Sequence, residues 1–254
     1  MKISNNTILI TGGATGIGLA LAIEFLDKGN EVIICGRRET ALNEAQVKYP
    51  KLHIRQADIS KIEERKNLAI WITQNFPQLN VLINNAGIQR EFLVSDESMA
   101  EKFEIENEIE INLTAPIHLT MLLLPHLKQQ QNSAIINISS GLAYVPISIM
   151  PVYCATKSAL QSFTKSLRYQ LRNDNVKIFE VSPPVVDTEL DKGARDQRGQ
   201  TNKGLKPEAV AKETLKGLKN DNFNIAVGQV KILRIVSRII PAKIFKILNG
   251  KVKR

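Results

Sequence analysis

Short, almost wholly apolar runs recur along this chain, and each is followed by a stretch of helical periodicity before the next run begins. The runs are Thr7 to Thr11 (TILIT), Glu31 to Cys35 (EVIIC), Leu52 to Ala57, Val81 to Asn84 (VLIN), Ala134 to Ile138 (AIINI) and Val176 to Val181. Strands that are apolar on both faces must be covered on both faces. Between them, helices are predicted over 39–49, 61–76, about 108–130 and 152–171. Another begins just after Gly18, where Leu19, Ala22, Ile23, Phe25 and Leu26 recur at helical spacing. Segments of this length join neighbouring strands by crossovers, which makes the strands parallel and puts helices on both sides. The expected fold class is therefore α/β: a doubly wound parallel sheet in three α/β/α layers. At 254 residues and 43% hydrophobic content, the chain fills one such core, so residues 1–254 are read as a single domain.

Gly12, Gly13, Gly16 and Gly18 sit between the first strand and the first helix, with Ala14, Thr15 and Ile17 among them. Glycines there permit a tight turn and close backbone approach, and the N–H groups opening a helix attract a phosphate. A strand, glycine turn and helix in that order is the context a dinucleotide phosphate site requires, and a Rossmann-type sheet is the expected fold. Three residues separate Gly12 from Gly16, however, unlike the common dinucleotide spacing, and a purely structural turn stays open on this loop alone.

A second group lies further on. Tyr153 and Lys157 are four residues apart on a predicted helix and share one face. Ser140 follows strand 134–138, at the carboxyl end of the sheet where open α/β proteins bind ligands. An ammonium beside a phenol favours the phenolate, which suits proton exchange near neutral pH, and a serine hydroxyl can hold a carbonyl oxygen. Taken by themselves, the three also fit a surface pair and a helix-capping serine. With only His53, His118 and His126 in the chain, and none near Ser140, a hydrolase triad is poorly supplied. Cys35 and Cys154 lie far apart without metal-ligand spacing, so neither a disulfide framework nor a metal site is expected.

TGGATGIG at 11–18, NNAG at 84–87, Asn112, Ser140 and YCATK at 153–157 together resemble the short-chain dehydrogenase/reductase family, over about residues 5–190, and within it a DltE-like subgroup. The family usually has Pro-Gly where this chain has Pro183-Pro184, a departure that the subgroup shares. The resemblance implies an oxidoreductase moving a hydride between a nicotinamide and a carbonyl or secondary alcohol. Tyr153 would be the acid or base, and Lys157 would favour its phenolate and hold the nicotinamide ribose. Ser140 would place the carbonyl oxygen, and Asn112 would hold a relay water through its helix backbone. Cofactor contacts would come from Gly12, Ala14, Thr15, Gly16, Ile17 and Gly18, and from Arg37, Arg38, Asp58 and Ile59. Asn85, Ala86, Gly87, Pro183, Val186 and Thr188 would add to these, together with Tyr153 and Lys157. The family's usual assemblies imply a homodimer or homotetramer.

Cys35-Gly36-Arg37-Arg38 ends the second strand with two guanidiniums and no acid, which favours NADP(H) over NAD(H), with Arg37 as the likelier phosphate clamp. NAD(H) stays open, as does a merely solvated turn. In the geometry that the resemblance implies, Leu142, Ala143, Tyr144, Val145, Pro146, Ile149, Met150, Pro151, Val185 and a mobile loop at about 190–206 would surround the nicotinamide on the substrate side. That wall suggests a largely apolar substrate. Arg90 and Arg195 are candidates for recruiting an anion.

Charge divides the chain unevenly. Residues 1–191 carry 18 Lys and Arg against 21 Asp and Glu, a net of −3, whereas residues 192–254 carry 16 against 4, a net of +12. A nucleic-acid partner for the whole body is therefore not expected. Residues 229–254 form a basic amphipathic extension with eight cations and no acid, divided by Pro241 into two helical pieces too short to cross a bilayer. Either they cover the pocket or sheet edge, or they make weak peripheral contact with an anionic membrane. No basic start followed by a long apolar run opens the chain, so it reads as cytoplasmic. The alternative function is a catalytically silent nucleotide-binding scaffold or regulator, which the complete Asn112, Ser140, Tyr153 and Lys157 set disfavours.

Overall fold

A computed structural model describes residues 1–96, 104–190 and 204–250. Seven strands form one sheet: β1 (Thr7–Thr11), β2 (Glu31–Gly36), β3 (Leu52–Gln56), β4 (Leu79–Asn84), β5 (Ser133–Ile138), β6 (Val176–Ser182) and β7 (Asn224–Ala226). Their order is β3-β2-β1-β4-β5-β6-β7, and each neighbouring pair is parallel. The order reverses between β1 and β4, which opens a crevice at the carboxyl ends of those strands.

Alternate residues of each strand feed two separate cores. Ile8, Ile10, Val32, Ile34, Ile83, Ile136 and Phe179 pack under α1 (Gly16–Leu26), α2 (Glu39–Lys48) and α7 (Pro207–Lys219). Leu9, Ile33, Leu82, Ile135 and Ile178 face α3 (Ile62–Asn75), α5 (Ala115–Leu127) and α6 (Pro151–Gln170). The expected three-layer fold is thus present, and it explains why the strand sequences show no polar face.

Three features differ from the sequence reading. The long helix begins as α4 (Ile105–Ile109), earlier than 108, and passes through a π segment (Glu110–Thr114) before α5. Ala115 N–H bonds to the Glu110 carbonyl five residues back, and Pro116 has no N–H to offer the Asn112 carbonyl, so a wider turn is accommodated there. Helix α7 and the three-residue β7 extend the fold past β6, where no element was expected. The two tail pieces form α8 (Val230–Ile239) and α9 (Pro241–Asn249). Both cysteines are buried and unpaired, and no described helix is long and apolar enough to cross a membrane. The expected mobile loop falls largely on residues 191–203, outside the described residues.

Candidate active site

The glycine loop leaves β1 with Gly12 at φ +63° and Gly16 at φ +56°, conformations that disfavour any side chain. A Cβ at Gly12 would lie 2.8 Å from Ala86 Cα, and one at Gly18 would lie 2.3 Å from the Gly12 carbonyl oxygen. The loop is therefore packed against the segment after β4. Two side chains hold that contact. Thr11 Oγ1 accepts from the N–H groups of Asn85 and Ala86 at 3.0 and 3.1 Å, and Asn85 Nδ2 donates to the carbonyls of Thr11 and Gly12 at 2.9 and 3.0 Å. Thr11 was not singled out from the sequence; its signal was its place as the last strand residue before the glycines.

A cavity of about 1440 Å³ runs from this loop across the ends of β1, β4, β5 and β6 to the tail helices. It exceeds the ~300–1,000 Å³ of a usual small-molecule site, so it has room for more than one small molecule. Gly12, Ala14, Thr15, Gly16, Ile17, Arg37, Arg38, Asp58 and Ile59 line one part of it, with Asn85, Ala86 and Gly87. Ser140, Tyr153, Lys157, Pro183, Val186 and Thr188 line the remainder. Gly18 and Asn112 do not reach the cavity: Gly18 is packed under the loop, and Asn112 is wholly buried behind it.

Asn112 works through hydrogen bonds to its neighbours. Its Oδ1 accepts from Ile88 N–H at 2.9 Å, and its Nδ2 donates to the Ile88 carbonyl at 2.8 Å and to Thr156 Oγ1 at 3.3 Å. The π segment thus fixes the loop after β4 to α6. A Cβ on Gly87 would meet Asn112 Oδ1 at 3.2 Å and Lys157 Nζ at 3.4 Å, so a side chain there would press on both groups.

Tyr153 and Lys157 lie on the first two turns of α6, and Lys157 Nζ is 5.7 Å from the Tyr153 ring centroid. Nζ also donates to the Ile138 carbonyl at 3.0 Å. Burial pulls the Lys157 ammonium down to about 8, against an opposing pull from Glu108. Ser140 caps a short 3-10 turn, Gly141–Ala143, its Oγ accepting from Leu142 N–H at 3.1 Å. Ser140 is thus a capping residue, and it is also among the residues that line the cavity. Its neighbour Ser139 turns inward to Glu180 and Ser182.

Glu108, like Thr11, is not singled out by the sequence. It lies one helical turn before Asn112, is wholly buried, and accepts from Arg90 N–H at 3.3 Å through Oε1. Its Oε2 has no hydrogen-bond partner among the described residues. Burial pushes its carboxyl up to about 7, while the Arg90 N–H, the Arg90 guanidinium and Lys157 pull it back. Nothing in the run IENEIE marks one glutamate as buried; only its spacing from Asn112 could have pointed to it.

Arg37 and Arg38 are both exposed. Arg38 approaches Glu189 at 3.8 Å, and no ion pair involves Arg37 among the described residues. Asp58 Oδ1 accepts from Ser60 N–H and Oγ at 3.0 and 2.8 Å. Of the expected substrate wall, Leu142, Ile149, Met150 and Val185 line the cavity, whereas Ala143, Tyr144, Val145, Pro146 and Pro151 do not. The 3-10 turn swings the chain away: Tyr144 Oη lies 3.4 Å from Ser182 Oγ, and Val145 is buried. Their places are taken by Ile147 and by Leu233, Val236, Ile244 and Leu248 of the tail. Arg90 is engaged by Glu104, and Arg195 lies outside the described residues.

No histidine borders the cavity. His118 Nδ1 accepts from Arg65 Nε at 3.1 Å, and His53 faces Glu31 at 3.4 Å.

The family model for short chain dehydrogenases matches residues 6–199. The chain is 45% identical over 249 residues to the uncharacterized oxidoreductase DltE of Bacillus subtilis strain 168, covering 98% of each. Among solved structures, a short chain dehydrogenase from Burkholderia cenocepacia J2315 in complex with NADP superposes with a TM-score of 0.84 at 23% identity, covering 98% of this chain and 99% of that one. A short chain dehydrogenase/reductase from Burkholderia phymatum in complex with NAD superposes at 0.82 and 19% identity, covering 96% of each. At those identities the two superpositions speak to the fold.

Proposed function

The chain belongs to the short-chain dehydrogenase/reductase family of oxidoreductases, and on that premise we propose that it interconverts a carbonyl and a secondary alcohol on a largely apolar substrate, with NADP(H) preferred. The observation that carries the reading is the convergence of Ser140, Tyr153 and Lys157 on the same cavity as the glycine loop, with Asn112 bracing it from behind. The residues fit a dinucleotide: Gly12 and Gly16 keep the loop free of side chains, and Gly87 leaves the corner beside Lys157 open. Gly12 to Gly18 would receive the pyrophosphate, Asp58 and Ile59 the adenine, and Asn85 to Gly87 the adenosine side. Pro183, Val186 and Thr188 would border the nicotinamide. A bound nicotinamide supplies or takes up the hydride.

The chain's own residues handle the proton. In reduction, Tyr153 gives its phenolic proton to the substrate oxygen as charge develops there; in oxidation, the phenolate takes it back. Ser140 donates to the same oxygen and holds the carbonyl in place. The Lys157 ammonium favours the phenolate that remains and donates to the ribose. Asn112 keeps Ile88 and Thr156 in register so that this wall does not drift. Preference for NADP(H) is supported by Arg37, exposed at the end of β2 with no carboxylate beside it in sequence.

A homodimer or homotetramer is supported by the exposed Met121 on α5 and Tyr169 on α6, and a cytoplasmic location by two unpaired buried thiols. The direct test mixes the full chain with NADPH and a panel of ketones, aldehydes and quinones and follows nicotinamide absorbance. Substrate-dependent oxidation of NADPH is expected. Binding of NADPH without turnover on any apolar carbonyl would favour a silent scaffold.

A further inference from the structure

The two tail helices present one side to the cavity and leave the other uncovered. Leu233 and Val236 of α8, with Ile244 and Leu248 of α9, wall the cavity. Polar anchors fix this orientation. Asn249 Nδ2 donates to the Pro146 carbonyl at 3.1 Å, its Oδ1 accepts from Ser148 N–H at 2.6 Å, and Lys231 pairs with Glu213 at 2.6 Å. With the inner side committed, the remaining aliphatics have nowhere to go: Ile235, Ile239 and Ile247 are 57%, 72% and 55% exposed. Arg238, Lys243 and Lys246 are exposed among them.

We propose that this outer side of α8 and α9 is a lipid-docking surface that seats the protein on an anionic bilayer. Charge selects the occupant. Residues 229–254 hold eight Lys and Arg and no acid, whereas residues 1–191 are net −3 and residues 192–228 mix eight cations with four acids, so the attraction to an anionic surface is strongest at this face. A second copy of the chain fits less well, because a two-fold contact would set these cations against themselves. Short helices carrying isoleucine and phenylalanine beside cations suit the headgroup boundary, where the aliphatics enter the acyl region and the ammonium and guanidinium groups stay among phosphates. The cavity wall then lies against the bilayer, and an amphiphilic substrate reaches the site without crossing water.

The test needs neither substrate nor turnover, so it fails or succeeds separately from the proposed chemistry. The full chain is sedimented with vesicles of phosphatidylcholine alone and with vesicles containing phosphatidylglycerol, at low and high salt. Two variants accompany it: Arg238→Gln with Lys243→Gln and Lys246→Gln, and Ile235→Ser with Ile239→Ser. None of these five residues borders the cavity, so NADPH titration checks that both variants are folded. The intact chain is expected to bind the anionic vesicles, weakly or not at all the neutral ones, and to be released by salt. Loss of three cations should weaken vesicle affinity by roughly a hundred-fold, at about five-fold each, and the serine variant should also lose binding. No binding of the intact chain at low salt would overturn the proposal, as would unchanged binding by the glutamine variant. A serine variant that turns from oligomer to monomer in analytical ultracentrifugation would also overturn it, by giving the face to a second copy.

Discussion

Lys157 is asked to stay charged in a place that disfavours charge. Burial lowers its ammonium from 10.5 to about 8, and the Glu108 carboxylate works against the fall. A base whose folded value is lowered loses its charge early as pH rises, so carbonyl reduction is expected to fall off above about pH 8, where Lys157 becomes a neutral amine. Glu108→Gln removes the opposing charge and should move that limb to lower pH, with KM for the carbonyl nearly unchanged; an unmoved limb would detach Glu108 from Lys157. The same carboxyl leaves a mark on stability. Its value is raised from 4.5 to about 7 by burial, so the native state holds this proton more tightly than the unfolded chain. Its contribution is full below about pH 4.5 and is lost as pH rises through 7. The stability of the intact chain relative to Glu108→Gln should therefore fall by about 1–3 kcal/mol between pH 5 and pH 8. Urea unfolding at the two pH values measures it. Arg37→Ala bears on the cofactor: it should weaken NADP(H) by about 1.5–3 kcal/mol through loss of a charge-assisted phosphate contact while leaving NAD(H) nearly unaffected. Fluorescence titration with both nucleotides decides, and equal losses for the two would remove Arg37 from the phosphate.

Among the elements, the π segment matters most, because it carries Asn112 and its three hydrogen bonds to Ile88 and Thr156. Asn112→Ala leaves the Ile88 N–H and carbonyl without those partners beside a wholly buried position, and should cost about 2–4 kcal/mol. Thermal unfolding would show a drop of several degrees; an unchanged midpoint would mean that the loop after β4 is held by Thr11 and Asn85 alone. The first six strands were legible because each is an apolar run buried on both sides, a pattern that few other structures produce. β7 is only three residues long, and no periodicity shows at that length. Helix α7 did carry a signal in Val210, Ala211, Thr214, Leu215 and Leu218, at helical spacing behind Pro207. The early start of α4 hid in IENEIE, where polarity reads as loop although Glu108 is buried. Of the site, Ser140, Tyr153 and Lys157 were legible from position and chemistry. The replacement of half the substrate wall by α8 and α9 was not, because it depends on how the chain returns across the sheet after β7.

At the scale of the whole molecule, the reversal of strand order between β1 and β4 makes one crevice, and the segments after those strands supply both of its lips. β5 and β6 add Ser140 and the Pro183 to Thr188 segment, and the tail closes the far end. The chain thus divides into a near-neutral body that builds the site and a strongly basic end that walls it. In the proposed reaction this crevice moves a proton through Tyr153 while hydride passes to or from nicotinamide. Tyr153→Phe keeps the ring and its packing and removes only the hydroxyl. Single-turnover oxidation of saturating NADPH, with a carbonyl found to be reduced by the intact chain, should be slowed by about 10²–10⁴-fold in this variant while NADPH affinity and unfolding midpoint stay unchanged. Near-normal single-turnover rates in Tyr153→Phe would take the proton transfer away from this phenol.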